Sequence, residues 1–70
     1  MIYLEPRSLY DGAIIGKNDT QLIYDYWMIV DQLVSGLRWT EEDSIEWINY
    51  NILGTFMEGW PLIIDQGYED

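Results

Sequence analysis

Seventy residues hold thirteen acidic and three basic side chains, for a formal net charge of −10, and include neither His nor Cys. That inventory leaves no imidazole base, no thiol nucleophile and no Cys/His zinc site. The sign of the charge repels nucleic-acid phosphates and anionic membranes, and it attracts a basic protein surface.

The length fits one small α+β domain over residues 1–70, which can bury only about 60% of the surface its unfolded chain exposes. No disulfide can assist, so four Trp and six Tyr must fill much of the core. At 49% hydrophobic residues the chain is too apolar for an acidic disordered tail. Met1-Ile2-Tyr3-Leu4-Glu5-Pro6 lacks the basic region and long apolar stretch of a signal peptide. No apolar run approaches the ~20 residues of a membrane span, and a cytoplasmic location is expected.

Residues 1–4 are expected to add an edge strand. Ala13-Ile14-Ile15 and Leu22-Ile23-Tyr24 flank the turn formers Gly16-Lys17-Asn18-Asp19-Thr20, a pattern that predicts a β-hairpin with a five-residue loop. Asp25 then stands before Tyr26, Ile29, Val30, Leu33, Val34 and Leu37, which repeat at helical spacing. An aspartate there accepts hydrogen bonds from the free N–H groups of the first turn, and Gly36 supplies a stop. Thr40-Glu41-Glu42-Asp43 opens a second helix: the threonine caps, and three carboxylates meet the positive end of the helix dipole. Ile45, Ile48, Ile52 and Phe56 form its apolar stripe, with Gly54 or Gly59 as its end, since Pro61 cannot continue it. Leu62-Ile63-Ile64 reads as a final strand, followed by an acidic tail from Asp65 to Asp70.

The predicted order is ββααβ, two helices covering one face of a short sheet, with the direction of the last strand left open. Ile14, Ile23, Ile29, Leu33, Ile45, Ile48, Ile52 and Ile63 are the expected core.

Asp43, Glu46, Trp47 and Tyr50 fall at i, i+3, i+4 and i+7, opposite the isoleucine stripe, with Glu42 beside them. Carboxylates interleaved with a Trp and a Tyr suit protein binding. Aromatic rings give contact area at low entropic cost, and the charges steer a basic partner. The competing reading packs Trp47 and Tyr50 into the core. More widely, Asp25, Asp31, Glu41, Glu42, Asp43, Glu46 and the tail carboxylates can imitate spaced phosphates, or can simply keep an aromatic-rich domain soluble.

Signals for catalysis are sparse. A carboxylate pair needs a cleft, Asp19, Asp65 and Asp70 lack calcium-loop spacing, and Gly12-Ala-Ile-Ile-Gly16 lacks the Lys-Ser/Thr of a phosphate loop. No enzyme activity, metal or cofactor is expected.

Four segments together carry a resemblance: Gly12-Ala-Ile-Ile-Gly16, Tyr24-Asp25-Tyr26, Glu41-Glu-Asp-Ser-Ile-Glu-Trp-Ile-Asn-Tyr-Asn51 and Pro61-Leu-Ile-Ile64. The pattern AIIG…YDY…EExxEWIxYN…PII resembles a group of short, mostly uncharacterised proteins of bacteria and their phages, over roughly residues 11–65. Ser44 departs from it where a small apolar residue is usual, as does the segment Gly54–Trp60. The group has no established catalytic residues to carry over. The resemblance implies a small accessory gene, often phage-borne, and small acidic phage proteins include inhibitors of host nucleic-acid machines such as anti-CRISPR proteins. The expected function is therefore a non-enzymatic inhibitor that occupies a basic, nucleic-acid-binding surface of a protein partner, without touching nucleic acid or membrane itself. The rival is an accessory domain that forms a homodimer through its aromatic helix face.

Overall fold

The computed structural model describes residues 1–65, so the predicted acidic tail beyond Asp65 lies outside the described residues. A short helix α1 (Arg7–Tyr10) runs into a 3-10 turn (Asp11–Ala13), followed by β1 (Ile14–Lys17), β2 (Leu22–Asp25), α2 (Tyr26–Leu37), α3 (Glu41–Asn51) and β3 (Leu62–Ile64). The α+β class and the hairpin, helix, helix, strand order are as expected. The helical segment at residues 7–13 is an addition.

The hairpin turn depends on Asn18. Its Oδ1 accepts the N–H groups of Thr20 at 2.9 Å and Gln21 at 2.8 Å, and its own N–H donates to the Gln21 carbonyl at 2.9 Å. This side-chain mimicry of a backbone turn places the loop at residues 18–21, slightly later than the glycine suggested. The ladder is irregular between Ile14, opposite Tyr24, and Gly16, opposite Ile23. Ile15 is the extra residue of a bulge and is exposed.

Central strand β2 pairs antiparallel with β1 and parallel with β3, with Tyr24 opposite Ile63 and Asp25 opposite Ile64. Residues 1–4 do not form the expected edge strand. The Leu4 N–H instead donates to the buried Tyr24 hydroxyl at 2.8 Å, and the chain turns at a cis Glu5–Pro6 bond. Backbone that ends on a side chain has no ladder to extend.

Asp25 ends β2 and caps α2, its Oδ2 accepting the Met28 N–H at 3.0 Å. Gly36 does not stop this helix. The chain leaves it at Arg38, in the left-handed region at φ 63°, while Gly36 lies inside, where a Cβ would come within 2.8 Å of Leu9 Cδ1. Leu9 of α1 thus packs directly over Gly36, and an alanine there would make the leucine side chain shift.

Thr40 caps α3 as expected, its Oγ1 accepting the Asp43 N–H at 3.0 Å. The far end differs. Ile52 and Leu53 both donate to the Ile48 carbonyl, at 2.9 and 2.8 Å, which closes the helix at Asn51. Gly54 then lets the chain pass the Tyr50 carbonyl at a distance a Cβ would reduce to 2.8 Å. Phe56 is thus off the helix and 93% exposed, and the buried stripe ends at Ile52.

Of the expected core, Ile29, Leu33, Ile48 and Ile52 are buried, whereas Ile14, Ile23, Ile45 and Ile63 are only half-buried. Side-chain alternation explains Ile23: Leu22 and Tyr24 point into the core, so Ile23 points to the opposite, less covered face of the sheet. Ser44, Leu4, Tyr10, Ala13, Val30 and Pro61 are also buried.

Ile48→Ala should lower the unfolding free energy by about 2–5 kcal/mol. Phe56→Ala should change it by about 0.5 kcal/mol or less. Chemical denaturation of the two variants checks this, and a comparable loss in both would restore Phe56 to the stripe.

Two tyrosines make the fold sensitive to alkali. Burial raises the Tyr24 pKa from its usual 10.0, only partly countered by the Leu4 N–H. Burial also raises that of Tyr26, with Asp65 and Glu41 adding repulsion. The unfolded chain therefore loses these protons first, and stability should fall as pH rises above about 10. Tyr24→Phe should cost about 1–3 kcal/mol at neutral pH, by orphaning the buried Leu4 N–H. It should also flatten the alkaline fall, as measured by denaturation from about pH 8 to about pH 11.

Candidate functional site

The register of α3 is fixed by its narrow buried stripe of Ser44, Ile48 and Ile52, with Ile45 half-buried at its edge. Ser44 fits there because its hydroxyl donates to the Thr40 carbonyl at 2.8 Å, which satisfies the only polar group that the residue adds. A narrow stripe leaves a broad outer face. Asp43, Glu46, Trp47 and Tyr50 all lie on it and are exposed, as their spacing predicted.

These four residues line one side of an open groove of about 350 Å³, completed by Trp39 and Asn51. Glu42 does not reach it. That residue lies on the other flank, in a separate depression shared with Ile45, Glu46, Asn49 and Tyr50. Asp25 also drops out of the surface charge pattern, because it is buried as the α2 cap.

Trp39 was not singled out by the sequence, since it precedes the cap of α3 and belongs to no periodic stretch. Its ring packs against that of Trp47, with centroids 5.5 Å apart and planes at 72°. Trp47 is further held by its indole N–H, which donates to the hydroxyl of buried Tyr10 at 3.3 Å. Tyr10 comes from α1, an element with no capping side chain and too short to show a period. The only clue to either residue was that a tryptophan needs a partner for its N–H and a neighbour for its ring.

Trp47 thus combines the two roles set against each other above. Its inner edge is fixed to Tyr10 and Trp39, yet 40% of the residue is exposed. Tyr50, at 75% exposed, is a surface residue. On the other side of Trp47 lies a second, mainly apolar cavity of about 480 Å³, bounded by Ile2, Tyr10, Ile52, Met57 and Trp60.

The charge around the groove is uncompensated. Asp43 and Glu46 join no ion pair among the described residues. The pair found there is Arg7–Asp11, 3.1 Å apart on α1 and the turn after it, and Arg7 also stacks 3.7 Å above the Tyr3 ring. Among the described residues no group of three His, Cys, Asp or Glu is placed to hold a metal ion, and no helix is long and apolar enough to cross a membrane.

No protein-family model, curated protein or solved structure matches this chain. The site therefore stands on its own geometry.

Trp47→Ala should cost about 2 kcal/mol of stability, roughly half the 3–5 kcal/mol of a fully buried tryptophan. Trp47→Phe should cost less, because it keeps a ring against Trp39 and loses only the N–H donated to Tyr10. Thermal denaturation of both variants checks this. A Trp47→Ala protein as stable as the parent would make the residue purely a surface contact.

Proposed function

We propose that the chain is a non-enzymatic binding protein whose α3 face docks on a basic, nucleic-acid-binding surface of a protein partner and blocks it. The observation that carries this reading is the joint exposure, on one helix face, of Trp47 and Tyr50 with Asp43 and Glu46, which join no ion pair among the described residues. The Trp47 ring, already held by Tyr10 and Trp39, loses little entropy on binding, and the carboxylates beside it supply attraction for Lys and Arg. The −10 charge of the whole chain extends that attraction beyond contact distance. A protein that takes the place of a nucleic acid on its receptor needs this combination. An anti-CRISPR-like inhibitor of a nucleic-acid-guided defence enzyme is its most concrete form.

A second reading draws on the far end of α3. Leu53, Phe56 and Met57 are exposed apolar side chains just beyond α3, Met57 also bordering the second cavity, and they would add apolar contact to a homodimer formed at the aromatic helix face or beside it. Salt separates the two. Charge-driven docking weakens as ionic strength rises, while apolar self-association holds or strengthens.

The test is retention of a protein partner from a bacterial lysate on the immobilised chain. Retention should be strong at about 50 mM salt and largely lost by about 500 mM, and added duplex DNA or RNA should displace the partner. The double variant Asp43→Lys, Glu46→Lys should retain none, although its melting temperature stays within a few degrees of the parent, both sites being exposed. Retention indifferent to salt, nucleic acid and charge reversal would overturn the reading.

A further inference from the structure

We infer that the groove between Trp39, Trp47 and Tyr50 receives a single arginine side chain of the partner, an inference that rests on the binding reading above. Three observations converge on a planar cation. The first is the shape of the aromatic wall. Trp39 and Trp47 both line the groove, their rings packed edge to face at 72°. Indole surface therefore borders the space, and indole is the strongest of the side-chain partners for a cation.

The second observation is the placement of charge. Asp43 and Glu46 stand one helical turn apart along the same groove, and neither is neutralised by an ion pair among the described residues. None of the chain's three basic residues, Arg7, Lys17 and Arg38, lines it. A cation arriving from outside therefore meets two free carboxylates and no competitor of its own sign within the lining.

The third is size. At about 350 Å³ the groove lies at the small end of ligand pockets, where one long side chain fits better than a stretch of backbone.

Arginine suits this arrangement better than the other biological cations. Its guanidinium is flat, so it can lie on an indole while its edge offers paired N–H groups to a carboxylate, and it is less strongly hydrated than an ammonium. A lysine brings a compact, well-hydrated charge that can use the carboxylates but gains less from the ring. A trimethylated lysine would use the rings but cannot donate to Asp43 or Glu46. Tyr50, largely exposed beside the groove, can close over the guanidinium or donate its hydroxyl to the partner.

The test uses the intact chain and four blocked tripeptides, acetyl-Gly-X-Gly-amide, in which X is arginine, lysine, trimethyllysine or citrulline. Binding is followed by the indole N–H signals of Trp39 and Trp47 in two-dimensional NMR. The arginine peptide should shift both signals saturably. The lysine peptide should bind about fivefold or more weakly, and citrulline, which keeps the shape without the charge, should not bind. Asp43→Asn and Glu46→Gln should each weaken arginine binding about threefold to tenfold, while Glu42→Gln on the far flank should leave it unchanged. Trp39→Leu should weaken it while leaving the chain folded, as judged by its unshifted core methyl signals.

Tighter binding of trimethyllysine than of arginine would overturn the assignment in favour of an ammonium cage. So would equal responses to arginine, lysine and citrulline, or shifts confined to other parts of the chain. If the arginine peptide fails while the chain still retains its partner through Asp43 and Glu46, only this inference falls. If the peptide binds but no partner is retained, the docking reading falls and the arginine receptor remains.

Discussion

Asp25 joins the two halves of this molecule, and the placement of everything after it follows from that junction. The residue is the last of β2, paired opposite Ile64, and also the cap of α2, with no connecting loop between strand and helix. A helix that starts on the final residue of a central strand has little freedom to swing, so α2 must run across the sheet at the angle the junction sets. Its carboxylate is nearly fully buried and accepts the Met28 N–H, which offsets part of the cost of taking a charge out of water. Among the carboxylates of the described residues, this one alone is buried.

From that anchor the site is assembled in steps. Leu9 of α1 packs over Gly36 of α2, and α1 brings Tyr10 to the position where it can accept the indole N–H of Trp47. The chain leaves α2 at Arg38 and places Trp39 beside α3 just before the Thr40 cap. The groove is thus lined by the α2–α3 connection and α3, with α1 supporting it from beneath through Tyr10. Its two indoles are oriented by packing, and its carboxylates come from the exposed side of one helix.

Much of this was legible along the chain because the signals are local. Asp25 and Thr40 announce helix starts through chemistry that acts within one turn, and Asp43, Glu46, Trp47 and Tyr50 follow from helical geometry alone. What escaped depends on contacts between distant residues. The α1 segment has no side-chain cap and no period, and it is held by Pro6, Leu9 and the Leu4–Tyr24 hydrogen bond. Gly36 resembled a helix stop until its neighbour Leu9 was known. Phe56 continued the stripe on paper, but both hydrogen bonds to the Ile48 carbonyl close the helix before it. Trp39 lines the groove, and Tyr10 supports Trp47 behind it, only because distant segments of the chain meet there.

The sheet also dictates an order of assembly. Strand β1 reaches β2 through the short Asn18 turn, so that pairing closes a loop of a few residues and can form early and independently. Strand β3 lies parallel on the other side of β2, and residues 26–61 must be brought round before Tyr24 can meet Ile63. Closing so long a span carries its entropic cost before any of its bonds are made, which places this pairing late in folding. By loop length alone, the β1–β2 pairing is expected to precede the β2–β3 pairing, so that β3 completes the sheet last.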